Sequence, residues 1–218
     1  MPKHPYTVLV FAVFLFACAT APTDYGRSDD MHSASMSSDS SRAALGKAMR
    51  DLWADHVIWT RNYIIAAAAD QPDAQAAAQR LLANQEHIGN AIVPYYGQAA
   101  GTKLTGLLKD HILIAVDVVS AARANDQNAL RSADARWHSN AADIATFLSG
   151  ANPNWPRASV LSMMNEHLAL TTREATARLT KNWSDDIATF DKVFDQAMMM
   201  ADTLTDGIVK QFPDRFRS

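Results

Sequence analysis

Three histidines, each directly preceded by an acid, recur at near-equal intervals: Asp55-His56, Asp110-His111 and Glu166-His167. Imidazole is the side chain whose charge changes most readily near neutral pH, and it is the commonest ligand of transition ions. Three imidazoles brought to one point form a donor set for such an ion, with amides or carboxylates behind them to orient the rings. The intervals, 55 and 56 residues, point to a structural unit used three times.

Each histidine sits on an apolar stripe of helical period. The first stripe is Leu45, Met49, Leu52, His56, Trp59, Tyr63 and Ala67. The third is Leu104, Leu108, His111, Ala115, Val118 and Ala122, and the fifth is Val160, Met163, His167, Leu170, Glu174 and Ala177. Between them lie return stripes: Ala77, Leu81, Asn84, Ile88, Ala91 and Tyr95, then Leu130, Ala133, Trp137, Asn140, Ile144 and Phe147. A last stripe runs through Ile187, Phe190, Phe194, Ala197, Ala201, Leu204 and Ile208. Turn signals separate them: Asp70-Gln71-Pro72-Asp73, Gly97 to Gly101, Asn125-Asp126 as stop and N-cap, Gly150 to Pro156, and Ser184 as an N-cap. Pro72 suits the first turn of the second helix. The pattern predicts an all-α, up-and-down antiparallel bundle of about six helices, or three helical hairpins, over residues 42–218. Abundant alanine, with Gly and Pro at only eight each, supports it.

Residues at equal distance from a tight turn return to equal height, because each helical residue rises about 1.5 Å. That rule places His56, Asn84, His111, Asn140 and His167 in one polar layer inside the core. Gln85, Glu86, His87, Asp143, Asp191 and Asp195 fall at its edge, with Asp191 or Asp195 level with His167. Buried polar groups need partners. The layer is therefore either a hydrogen-bond network that fixes the register of an alanine-rich bundle, or a metal centre with His56, His111 and His167 as ligands to a transition ion. The di-iron pattern Glu-x-x-His is absent, as are His-x-x-x-His and His-x-x-x-Glu, so the sequence favours the network. Thr60-Arg61 and Thr172-Arg173 read as ion-pairing positions beside the layer. Met163-Met164 and Met198-Met199-Met200 read as core filler ahead of copper ligands. Tyr95, Tyr96 and Trp155 are expected to cover one end of the core.

Ahead of the bundle, Lys3 and His4 precede an apolar run from Val8 to Phe16 that ends in Leu15-Phe16-Ala17-Cys18. The run is short for a membrane span and right for a signal-peptide core. Its end resembles a lipobox, which makes Cys18 the expected site of acylation; Phe16 departs from that pattern, and plain cleavage near Ala19 is the alternative. Residues 1–18 thus read as a lipoprotein signal peptide. Residues 19–41, rich in Ser and Asp and without apolar period, read as a flexible tether. The expected location is the bacterial cell envelope, on the membrane through Cys18.

The net charge of −3 and the lack of a basic block give no footprint for nucleic acid. No nucleophile elbow, P-loop or dinucleotide fingerprint occurs, which disfavours catalysis.

Several segments resemble an uncharacterised bacterial family of exported all-helical proteins. They are Leu52-Trp53-Ala54-Asp55-His56 with Trp59-Thr60-Arg61-Asn62-Tyr63, then Asn84-Gln85-Glu86-His87-Ile88-Gly89-Asn90, Tyr95-Tyr96-Gly97, Ser149 to Trp155, and Met200-Ala201-Asp202 to Gln211-Phe212-Pro213. Some members of that family carry a glycosyltransferase label, but this sequence has no nucleotide-binding α/β pattern and no Asp-x-Asp. The resemblance implies export and an all-helical fold, and no mechanism. The reading that results is a non-enzymatic envelope protein with a binding or structural role toward a protein or small ligand. The alternative is a metal-binding, redox-capable bundle.

Overall fold

A computed structural model describes the backbone of residues 26–217 and the side chains from residue 40 onward. The leader and Cys18 lie outside the described residues. Among the described residues the chain forms five α-helices and no strand: α1 (Gly26–Ala68), α2 (Ala74–Arg123), α3 (Gln127–Ala151), α4 (Arg157–Leu179) and α5 (Trp183–Gln211), with a short 3-10 turn at Pro213–Arg215. The helical backbone of α1 begins inside the stretch read as a tether.

Five helices stand where six stripes were expected, because the second and third stripes share α2. Gly97 interrupts α2 with a left-handed backbone (φ 82°, ψ 167°) that suits a residue without Cβ. The limbs on either side of it touch. Lys109 Nζ pairs with Glu86 at 2.5 Å, and Gly89 and Gly101 lie backbone to backbone. Gly101, expected in a loop, is helical and buried. Its missing side chain lets the limbs approach closely.

Three of the four remaining reversals share one design; the α3–α4 turn at residues 152–156 is the exception, with Asn152 extended. Asp70, Asn125 and Lys181 each adopt a left-handed conformation (φ 56°, 54° and 60°). The next residue's N–H reaches back to a carbonyl of the preceding helix in every case: Gln71 to Ala66, Asp126 to Ala121 and Asn182 to Ala177, at 2.8–3.0 Å. This is a Schellman closure, which satisfies the carbonyls a helix end leaves bare. Asp126 then caps α3 by accepting from the N–H groups of Asn128 and Ala129. Asn182, not Ser184, caps α5, accepting from the Asp185 N–H at 3.3 Å. Pro72 lies in the turn, one residue before the Asp73 N-cap of α2, and is not in the helix itself.

The core runs the length of the bundle. At one end Trp155 is buried against Gly207, donates Nε1–H to the Thr203 carbonyl and contacts Tyr96, as expected of a core cover. Met49, Trp53, Ile88, Trp137, Ala141, Ile144, Ala201 and Ile208 fill the centre of the same cluster.

Gly89 and Gly106, both helical, should respond oppositely to alanine. A Cβ at Gly89 would stand 1.9 Å from Thr105 Oγ1 and 2.7 Å from the Gly101 carbonyl, whereas one at Gly106 meets nothing within 4 Å. Gly89→Ala should destabilise by about 1–3 kcal/mol through overpacking, and Gly106→Ala should stabilise by about 0.5–1 kcal/mol. Denaturant midpoints of the two variants against the parent protein check both signs.

Candidate binding site: a three-imidazole layer

His56, His111 and His167 are buried at the middle of the bundle. The His167 ring centre lies 5.6 Å from that of His56 and 6.2 Å from that of His111. Each ring contacts an amide 29 residues further along through Nδ1: Gln85 at 3.2 Å, Asn140 at 2.8 Å and Gln196 at 3.2 Å. The helix-terminal Schellman residue falls midway between each histidine and its amide, which is why the amide returns at the histidine's height. A second bond closes each unit. Amide nitrogens of Asn84, Asn140 and Gln196 donate at 3.0 Å to the carbonyls of Leu52, Leu107 and Met163, four residues before the respective histidines.

The acceptor atoms assign the protons. Asn140 Oδ1 and Gln196 Oε1 only accept, so His111 and His167 carry hydrogen on Nδ1 and keep a lone pair on Nε2. The first unit differs, because it splits the work between two neighbouring amides. Asn84 serves the carbonyl while Gln85 Nε2 faces three acceptors, Leu81 O, Asn84 Oδ1 and His56 Nδ1, with only two hydrogens. Gln85 Oε1 is buried without a partner.

Burial holds all three imidazoles neutral. Loss of hydration takes His111 down to about 3 and His167 to about 4. His56 falls well below the usual histidine range, through burial first and then its two histidine neighbours. The acids that precede them stay outside. Asp55 pairs with Arg80 at 2.6 Å, while Asp110 and Glu166 are exposed.

Two small cavities, each about 30 Å³, adjoin the layer and share all three rings. Either has room for a water-sized guest. Met49, Met163, Met164 and Met200 line the first, and Thr60, Thr171 and Leu81 the second; no carboxylate lines either.

Of the residues expected at the layer's edge, Glu86, His87, Asp143, Asp191 and Asp195 are exposed. Helical steps of 100° carry them off the core face, so none contacts the rings. Gln85, expected at the edge, is fully buried. Gln196, not Asp191 or Asp195, is the partner of His167. The regular interval of 29 residues from histidine to amide is the sequence signal that points to Gln196.

A separate polar layer links α1, α4 and α5. Arg61 Nη1 donates to Glu174 Oε1 at 2.7 Å and Asp186 Oδ1 at 2.9 Å, Arg178 reaches Asp186 at 3.3 Å, and Arg61 lies over Phe190. Burial raises Glu174 to about 7; Arg61 opposes this only in part. Arg173 pairs on the surface with Asp185. Both arginines thus form the ion pairs the sequence suggested.

Among the described residues no group of three or more His, Cys, Asp or Glu stands in ready-made metal-binding geometry, and no helix is long and apolar enough to cross a membrane. No protein-family model, curated protein or solved structure matches the chain.

The buried neutral imidazoles predict acid sensitivity. Below about pH 6.5 the unfolded histidines bind protons that the folded ones refuse, so stability is full above that pH and falls as the pH drops toward 4. Glu174 acts with the opposite sign between about pH 4.3 and 7, where its folded form binds the extra proton. Three histidines outweigh one glutamate. Each unit of separation is worth about 1.4 kcal/mol, so moving from pH 7 to pH 5 should cost roughly several kcal/mol. Melting temperatures over that range check the slope, which His111→Asn should flatten.

Proposed function

We propose that the chain is an exported, acyl-tethered protein of the bacterial cell envelope, non-enzymatic, whose three-imidazole centre holds a small guest. The bundle is read as six helical segments running up and down, the limbs of α2 on either side of Gly97 counting as two. One observation carries the binding reading: three neutral imidazoles meet between two cavities that no carboxylate lines. A centre of that composition offers neutral nitrogen donors to a guest, with no carboxylate beside them. The amides on Nδ1 lock the register of the helices.

A transition ion is favoured as the guest by the proton assignment. At His111 and His167, Nδ1–H bonded to a carboxamide oxygen leaves Nε2 as the donor, in the manner of the carboxylate or carbonyl partners that commonly orient metal-binding histidines. Tethering rests on Leu15-Phe16-Ala17-Cys18 behind an apolar core of signal-peptide length.

Expression in a bacterial host with labelled palmitate tests the tether. The parent protein should be labelled and sediment with membranes, and Cys18→Ala should be unlabelled and released. Unlabelled parent protein recovered from the cytoplasm would contradict export and anchoring together.

A further inference from the structure

The wall of the first cavity says which ion the centre fits. Met49, Met164 and Met200 are each at most 3 % exposed and, with Met163, line the same space as the three rings. Thioether and imidazole are both neutral donors, and soft sulfur selects Cu(I) among the first-row ions. Neutral donors leave the ion's charge uncompensated in an apolar core. The solvation cost of burying an ion grows with the square of its charge, so a divalent ion would cost about four times as much as a monovalent one here.

The geometry points to a binding site for a single Cu(I) ion, held by Nε2 of His56, His111 and His167 with a thioether from Met49, Met164 or Met200. This rests on the binding reading above and names its guest. Bonds of about 2.0–2.1 Å from an ion to imidazole nitrogen place ring centres about 5–5.5 Å apart. His56 and His167, at 5.6 Å, nearly meet that spacing, and His111, at 6.2 Å from His167, must move toward both of the other rings. Cavities on both sides of the rings give room for that shift. His111 and His167 already present lone pairs at Nε2. At His56 the proton passes from Nε2 to Nδ1, and Gln85 turns so that its unpartnered Oε1 accepts it. All three rings remain neutral, and no proton is released.

The test uses the full-length protein, purified from membranes without an affinity tag and titrated anaerobically with Cu(I) against a chromophoric chelator, and separately with Zn(II). One Cu(I) per chain is expected, with nitrogen and sulfur scatterers in the X-ray absorption spectrum and Zn(II) weaker by about two orders of magnitude. His167→Gln should weaken Cu(I) binding by about 100-fold, a loss of the size that follows disruption of a metal's coordination, with helical content by circular dichroism retained. The triple variant Met49→Leu, Met164→Leu and Met200→Leu conserves volume, so it keeps a readout if His167→Gln fails to fold; its sulfur signal should fall, and an unchanged signal would overturn the thioether ligand. Cu(I) binding that survives His167→Gln would overturn the proposal. Stoichiometric Zn(II) with a nitrogen-only shell would overturn Cu(I) while keeping the binding centre. A folded protein that takes up neither ion would overturn both.

Discussion

An imidazole taken out of water must be neutral and must find a hydrogen-bond partner, and this bundle is arranged so that three of them do. A buried polar group left alone costs about 1–3 kcal/mol. The chain avoids that cost by timing. A left-handed residue ends each helix midway between histidine and amide, and the return helix brings a carboxamide to the ring's height. The same amides, or Asn84 in the first unit, also reach carbonyls four residues before each histidine. A slip of one turn in any hairpin would break both bonds. Alanine-rich faces could slide with little loss of apolar contact, so the polar layer supplies the register that packing alone leaves weak.

The two buried polar layers are electrically different. Around Arg61, Glu174, Asp186 and Arg178, ionisable groups of opposite sign face one another in a buried cluster. Around the histidines there is no formal charge, and burial keeps it so. The first is best understood as a clamp joining α1, α4 and α5. The second combines neutrality, lone pairs and adjacent space, which is the environment a guest with its own positive charge would enter.

Much of this was legible in the residues. His56, His111 and His167, with Asn84 and Asn140, were placed in one buried layer from helical rise and turn position alone, and all five are buried. The reading went astray where one helical step changes a residue's face. Gln85 follows Asn84 by 100° yet is the one that reaches His56. Acids near His167 drew attention away from Gln196, although a neutral ring in an apolar core is better served by an amide than by a carboxylate that would itself have to be buried. The Gly97–Gly101 stretch signalled a reversal, but composition could not say that Gly97 alone makes it while Gly101 packs against Gly89. Only the fold brings Arg61 across to Asp186, 125 residues away in the chain.

Nitrogen-15 NMR of the histidine side chains at pH 5 tests the central claim most directly, because it reads protonation and tautomer at each ring. The account predicts that His56, His111 and His167 remain neutral at that pH, with hydrogen on Nδ1 of His111 and His167. Rings that titrate together near pH 6.5, the ordinary value for histidine, would show that the three imidazoles do not form a buried, amide-held layer.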